Sequence, residues 1–364
     1  MHIIVFGYSK PERNSNPLGK ITRNNSVIKF LLHLHPARIP ASSAKFTYTF
    51  GLGGLSFLAF IITMVTGVLL LFVYSPNPAL ANASLQKIAS VLPYGWYVRN
   101  LHYWAGQVMV IAVILHLLRI SLTGGYLAGR RFNWIIGIML LVLTFFMDFT
   151  GFPLRWDTES HWALVVGTHL LKSAPWFGKQ LYGLVVGGSD ISGNTLLRFY
   201  TWHIFGLPFI AFFLTLFHFW RIRKDGGISS LAGKKTTLFL SNKELLDKEL
   251  KYFFVVGIVL ILLSVLFTPF LGVSANKSLE LSSVNAPWIF LWIQFLLRYL
   301  PPSIAGIFLP AILLVFLLVV PYTDKRDELA GKWLAGGRKI YWMPVLLSLG
   351  LVLIFTILEA VIEF

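Results

Sequence analysis

Seven apolar stretches constrain the fold of this 364-residue chain more than any other feature. Each has roughly 20 or more residues, the length that an α-helix needs to cross the hydrocarbon core of a bilayer. Since 56% of all residues are hydrophobic, a soluble fold is excluded, and the sequence predicts an all-α integral membrane protein with seven transmembrane helices. The stretches lie near residues 47–75, 97–118, 133–152, 199–219, 252–272, 303–321 and 341–362.

The formal net charge of +16 is unevenly distributed between alternate loops. Residues 1–46, 119–131, 221–251 and 324–339 hold 23 of the 31 Lys and Arg residues, and the remaining segments hold 8. An excess of Lys and Arg marks the cytoplasmic side of a membrane protein. We therefore expect a cytoplasmic N-terminus and a C-terminus outside, and the basic charge reflects topology rather than nucleic-acid binding.

Four histidines lie inside two of these stretches: His102 and His116 in the second, His203 and His218 in the fourth. Ionisable groups within a membrane are costly and usually functional. A 14-residue step spans about 21 Å of helix and almost four turns, so His102 and His116 share one helix face. Both stretches run from outside to inside, which pairs His102 with His203 near the outer surface and His116 with His218 near the inner one.

The chemistry of these residues indicates two b-type haems stacked across the membrane. Imidazole is the commonest side-chain ligand of haem iron, and two haems at this spacing form a transmembrane electron path. Because the chain has no cysteine, neither haem is attached covalently. A transporter with a histidine proton relay, or a membrane anchor that has lost its haem, are the alternatives.

The 15-residue step between His203 and His218 requires an irregular helix. A straight helix would turn His218 by about 100° relative to a 14-residue step. Pro208 lies between them, and we expect it to kink or locally unwind the helix.

Two pairs of glycines repeat the 14-residue spacing of the histidines. Glycine permits the close approach of a flat porphyrin edge, although it also mediates ordinary helix packing in membranes. Two arginines, each three residues from a histidine, are candidates to pair with haem propionates, or else extend toward the membrane surface. The candidate haem-contacting residues are Gly53, Gly67, Gly137, Gly151, Arg99 and Arg119.

The polar stretches divide the chain into four predicted parts. Residues 1–46 form a basic cytoplasmic lead-in with a possible amphipathic helix at 26–35, and 47–222 form a four-helix diheme bundle. Residues 223–250 form a cytoplasmic linker before a three-helix membrane domain at 251–364. The long loop at 153–195 is expected to hold short surface helices and to be functional. Within it, His161 lies on the outer side and is a candidate for proton release.

Four segments around the histidines resemble cytochrome b of the quinol:cytochrome c oxidoreductases. The last of them, and the 15-residue step, are similar to the chloroplast and cyanobacterial branch, whose four-helix and three-helix parts are separate chains but appear fused here. The resemblance is strong over about 45–225 and weaker over 250–364. The segments are 94–102 (YGWYVRNLH), 115–119 (LHLLR), 195–203 (TLLRFYTWH) and 218–226 (HFWRIRKDG).

The sequence departs from that family at two places. The chloroplast-type form attaches an extra haem through a cysteine, where this chain has Gly51. The family also carries Pro-Glu-Trp-Tyr at its outer quinol site, where the glutamate is thought to accept a proton. Here the motif reads Ala-Pro-Trp-Ile, with Pro287 in place of the glutamate, and proline has no side-chain proton acceptor. Glu280, upstream in the same loop, is a candidate replacement.

The resemblance implies a diheme cytochrome b subunit of a respiratory-type quinol oxidoreductase in an energy-transducing membrane, such as the bacterial plasma membrane. Its activity would need partners: a Rieske iron–sulfur protein, c-type cytochrome subunits, or both, in a dimeric complex. The alternative is a non-bifurcating subunit that links quinone to a multihaem cytochrome or a molybdenum oxidoreductase. Catalytic residues stay unassigned, and the candidate quinone regions are Pro287 and Trp288 outside, and Arg223, Lys224 and Asp225 inside.

Overall fold

The computed structural model describes residues 38–229, 238–275 and 285–362. Within these ranges, seven helices are long and apolar enough to cross a membrane, which confirms the predicted all-α architecture. Their order along the chain defines spans 1 to 7. The spans are Leu52–Leu71, Gly95–Thr123, Arg131–Arg155, Gly193–Lys224, Lys243–Leu266, Ile304–Thr323 and Gly336–Ile362.

Shorter elements connect the spans. The loop between spans 3 and 4 folds into two helices, Thr158–Lys172 and Gly178–Val186, which confirms the predicted surface helices. A capping box between Asp157 and Ser160 begins the first of them. The other short elements are the helices Phe46–Thr49, Ala81–Ser90 and Leu291–Leu297, the 3₁₀ turns Trp288–Phe290 and Asp327–Leu329, and the strands Arg38–Pro40 and Phe239–Ser241.

A π-helical turn in span 4 explains the 15-residue step between its histidines. Span 4 is α-helical over Gly193–Thr201, π-helical over Trp202–Gly206 and α-helical again over Leu207–Lys224. The amide of Leu207 donates to the carbonyl of Trp202, five residues back. A π-turn inserts one extra residue into an α-helix. The extra residue therefore lies just before Pro208, and the rest of the span keeps its α-helical phase.

Span 5 lies further toward the N-terminus than the predicted stretch at 252–272. Its helix begins at Asn242, after a capping box in which Ser241 and Glu244 bond each other's backbone amides, and it ends at Leu266. Pro269 explains the early end, since the residue before a proline avoids helical angles. The predicted linker at 223–250 therefore includes the first turns of span 5.

Two of the apolar clusters among the described residues hold the spans together. The first fills the centre of the bundle of spans 1 to 4, and Met109 in it lies midway between His102 and His116 along span 2. The second attaches spans 6 and 7 to spans 2 and 3 at the end nearer His116. The central cluster is Ala59, Phe60, Met109, Met147, Leu207 and Ala211.

Polar contacts also join the four-helix and three-helix parts. Arg338, at the start of span 7, is fully buried and pairs with Asp324 at 2.8 Å. Tyr126, between spans 2 and 3, donates to Asp324 at 2.9 Å and contacts Arg338 Nη2 at 2.7 Å. The strands Arg38–Pro40 and Phe239–Ser241 pair in antiparallel register, which ties the segment before span 1 to the segment before span 5.

Candidate functional site

The bundle brings the outer-predicted histidines together. The ring centroids of His102 and His203 are 6.1 Å apart, and their planes are inclined by 74°. Both side chains lie in membrane-spanning helices of the bundle, and both are half-buried.

The separation fits a metal ion held from both sides. A metal–imidazole bond of about 2.0 Å and a nitrogen-to-centroid distance of about 1.1 Å, counted twice, give about 6.2 Å. Within the described ranges, no group of three or more His, Cys, Asp or Glu residues is arranged to hold a metal ion. An ion between His102 and His203 would thus have two protein ligands, and a tetrapyrrole is the group that supplies the other four.

Hydrogen bonds fix the proton on both imidazoles. His203 Nδ1 lies 2.9 Å from the carbonyl oxygen of Met147, which only accepts, so Nδ1 is the donor. His102 Nδ1 lies 2.9 Å from Thr66 Oγ1, and this hydroxyl already donates to Ile62 O at 2.6 Å. His102 Nδ1 is therefore also a donor. In both rings Nε2 keeps a lone pair, which is the arrangement of a metal-ligating histidine.

Two glycines open space beside this pair. A Cβ atom added at Gly67, in span 1, would lie 3.2 Å from Cε1 of His102. At Gly151, in span 3, it would lie 2.5 Å from Cε1 of His203. Spans 1 and 3 thus present bare backbone to the two rings, as a planar ligand between them requires.

Two further glycines lie beside the second pair of histidines, His116 and His218. Added Cβ atoms at Gly53 and Gly137 would lie 3.2 Å from His116 Cε1 and 3.7 Å from His218 Cε1. Each of the four glycines therefore faces one histidine, two at each level of the bundle. The spacing that repeats in the sequence corresponds to two similar cradles in the structure.

The two candidate arginines differ in their partners. Both terminal nitrogens of Arg99 donate to Pro269 O at 3.1 Å, so this guanidinium supports the segment after span 5. Arg119 donates from Nε to Tyr48 O at 3.1 Å and stacks on the Tyr48 ring at 4.4 Å. Its Nη2 is buried and has no hydrogen-bond partner in the parts of the chain that the structure covers. Arg119 fits an anionic group better than Arg99 does.

The predicted inner quinone region lies at the end of span 4 that follows His218. Asp225 pairs with Arg221 at 2.8 Å, and Lys224 Nζ lies 4.9 Å from the ring of Trp220. Asp225 Oδ2 and Arg221 Nε are buried and lack partners among the described residues. This region therefore has polar atoms available for a ligand, while Arg223 and Lys224 are exposed.

The predicted outer loop meets two residues that the sequence analysis does not identify. Trp288 Nε1 donates to Gln107 Oε1 at 2.5 Å, and Gln107 Nε2 donates to Asp148 Oδ1 at 3.2 Å. Ile289, in the position of the family tyrosine, is buried. The signal for Asp148 is present in the sequence, since it is a carboxylate within a predicted membrane span. Its link to Trp288 depends on long-range packing.

Two further residues that the sequence suggests for proton transfer are Glu280 and His161. Glu280 lies outside the described residues. His161, in the helix Thr158–Lys172, packs edge-on against Trp156 and Trp162, with centroids 5.5 and 6.2 Å away. Burial lowers the pKa of His161, and its Nδ1 has no partner among the described residues.

Comparisons with known proteins agree with this architecture. A family model described as Cytochrome b/b6/petB matches residues 39–226. Cytochrome b6 of Heliomicrobium gestii is 37% identical over 187 residues, which cover 51% of this chain and 88% of that protein. Cytochrome b6 of Synechocystis sp. (strain ATCC 27184 / PCC 6803 / Kazusa) is 39% identical over 175 residues, covering 48% and 79%.

A solved structure described as Hyperthermophilic respiratory Complex III shares the fold over almost the whole chain. The TM-score is 0.77 at 21% sequence identity, and the match covers 94% of this chain and 91% of that one. The likeness therefore extends through spans 5 to 7, beyond the segment shared with the cytochromes b6. Since the family model covers just over half of the residues and the relatives match over most of their own length, this chain belongs to the cytochrome b/b6 family.

Proposed function

We propose that this chain is a diheme cytochrome b that carries electrons across a membrane between quinone sites and a partner redox subunit. Its place as the cytochrome b subunit of a quinol oxidoreductase follows from the family. The proposal adds the number of haems, their ligands and the quinone sites. The observation that carries it is the pair of imidazoles with centroids 6.1 Å apart, both with Nε2 available.

His102 and His203 are proposed as ligands of one haem, and His116 and His218 of the second. A bound haem supplies one-electron transfer at each level. The residues around it orient it: Thr66 and the Met147 carbonyl hold the first pair of imidazoles by hydrogen bonds. The glycines opposite each ring leave room for the macrocycle, and Arg119 offers a donor to a carboxylate of the second one.

Quinone sites are proposed on both faces, one near Pro287 and Trp288 and one near Arg223, Lys224 and Asp225. The side of the membrane with more Lys and Arg residues is taken as cytoplasmic, so His102 and His203 lie nearer the outer face. The four predicted parts, 1–46, 47–222, 223–250 and 251–364, are retained as a proposal for domain organisation. The complex would include further redox subunits, such as an iron–sulfur protein or a c-type cytochrome.

The alternative, a non-bifurcating subunit that serves a multihaem cytochrome or a molybdenum oxidoreductase, is not favoured. Its only support is the loss of the glutamate at Pro287. The family model and the cytochrome b6 relatives cover the four-helix part, and the architecture of a respiratory Complex III extends over the rest.

Reduction by quinol tests this function. Membranes that contain the intact complex should show a b-type reduced-minus-oxidised spectrum when a quinol is added, and an inhibitor of outer quinol sites should block turnover. Quinol-driven haem reduction would also be expected to rise when oxidant is added in the presence of an inner-site inhibitor. A complex whose haem is reduced by dithionite but never by quinol would contradict the proposal.

A further inference from the structure

Asp148 is a membrane carboxylate without a structural explanation. It lies in span 3, and within residues 38–229, 238–275 and 285–362 it forms no ion pair. Its hydrogen bond there is the one that Oδ1 accepts from Gln107 Nε2 at 3.2 Å. An ionisable group in a membrane span usually has a role that outweighs the cost of burial. By contrast, Glu359 in span 7 is neutralised by Arg298 at 2.7 Å.

Asp148 lies close to both the first histidine pair and the outer-predicted loop. It lies one turn before Gly151, which faces His203. The neighbouring Phe149 packs edge-on against Phe290, with ring centroids 5.8 Å apart, so the turn Trp288–Phe290 rests on this part of span 3.

A line of hydrogen bonds runs from that loop to the carboxylate, from Trp288 through Gln107 to Asp148. Gln107 uses its oxygen toward the loop and its amide nitrogen toward the carboxylate, which fixes the orientation of Asp148 Oδ1. Oδ2 makes no hydrogen bond with the described residues, and Asp148 is half-buried rather than enclosed. A ligand that enters between Trp288 and span 3 would find Oδ2 free to accept a hydrogen bond.

We propose that Asp148 accepts a proton from the quinol on the His102 side, a role for which Pro287 offers no side-chain group; this inference rests on the proposed quinol oxidation. In this step the hydroxyl O–H bond of the quinol breaks and an O–H bond forms on Asp148. The negative charge moves from the carboxylate to the quinol oxygen. No electron moves in the step, and both electrons leave afterwards in the proposed electron-transfer reaction. Gln107 and Trp288 are positioning residues.

Asp148→Asn in the intact complex tests this role. Asparagine keeps an oxygen that accepts from Gln107 but removes the basic carboxylate. We expect kcat for quinol oxidation to fall by at least about tenfold, because general acid–base groups contribute about 10²–10⁴ to rates. KM should change much less, the haem spectrum should be unchanged, and Asp148→Glu should recover most of the rate. Asp247→Asn, the same change at an exposed carboxylate paired with Lys251, should behave as wild type.

The possible results separate this proposal from the proposed function. If the Asp148→Asn complex binds its haem and turns over at the wild-type rate, the role of Asp148 is overturned and the proposed function stands. If no quinol reduces the wild-type complex, the proposed function itself is overturned. If the variant fails to bind haem, the infrared difference spectrum of the wild-type complex on quinol addition decides. A carboxyl band that shifts when aspartate is labelled with ¹³C supports the proposal, and its absence overturns it.

Discussion

At the residue scale, the glycine opposite His203 explains why a small side chain is needed at that level of the bundle. A methyl group at Gly151 would lie 2.5 Å from Cε1 of His203, so the ring or span 3 must move. Core overpacking costs about 1–3 kcal/mol, and here the movement displaces a proposed iron ligand. The 14-residue spacing of the glycines is visible in the sequence. The histidine that each glycine faces is not, because it depends on how the helices are rotated about their axes.

Gly151→Ala is therefore expected to reduce haem binding at the first pair. The purified protein should contain less haem per chain, and the remaining haem should be lost at a lower temperature than in wild type. Gly257→Ala is the matched control in span 5, outside the four-helix bundle, where an added Cβ atom has no neighbour within 4 Å. Equal haem content in the two variants would show that the space beside His203 is not needed.

At the element scale, the π-turn is the feature that sequence analysis located only approximately. Pro208 indicates an irregularity, and the structure places the extra residue within Trp202–Gly206, just before it. The observed end of span 5 also differs from the expected one at residue 272, because hydropathy continues past Leu266 while Pro269 ends the helix. Apolar composition determines membrane burial, but proline and caps determine where helices end.

Deletion of one residue within the π-turn should be tolerated. Without Phe205, the segment can become a regular α-helix in which the two histidines of span 4 are 14 residues apart and share one face. We expect this variant to keep both haems. Deletion of Phe213, beyond the turn, leaves the π-turn in place and rotates His218 by about 100°. That second variant should lose the haem at His218, and haem quantification distinguishes the two.

The surface helix Thr158–Lys172 should lose stability at acidic pH through His161. Because burial lowers the pKa of His161, the unfolded state binds the proton more readily. Stability is therefore retained above the unfolded pKa of about 6.5 and falls as the pH decreases from there toward the lowered folded value. The temperature of haem loss should depend less on pH in His161→Gln than in wild type. An unchanged pH dependence would exclude His161 as its source, and His169→Gln, at an exposed position on the same helix, is the control.

At the scale of the whole molecule, buried polar contacts attach the three-helix part to the four-helix part. The sequence predicts two units joined by a polar segment, but it does not indicate that Arg338, Asp324 and Tyr126 meet. Tyr126 comes from the connection between spans 2 and 3, whereas Asp324 and Arg338 flank the connection between spans 6 and 7. The common fold with a respiratory Complex III extends through both units. The interface therefore lies within the part of the architecture that the two chains share.

Arg338→Met should weaken this interface. Removing one partner of a buried ion pair typically costs about 3–5 kcal/mol, because the other charge stays buried. We expect a marked decrease in the temperature at which haem is lost, with a normal spectrum before heating. Lys251→Met breaks an exposed ion pair with Asp247 and should have little effect. Similar losses of thermal stability in both variants would contradict a specific role for Arg338.

The haem content of the purified complex is the most direct test of two cofactors held by four imidazoles. Haem extracted and quantified against this chain should give two b-type haems per chain, titrating as two one-electron components. Replacement of His102, His116, His203 or His218 by leucine should remove one haem in each case and leave the other. One haem or none in the wild-type protein, or a full complement of two in any of these variants, would contradict the account.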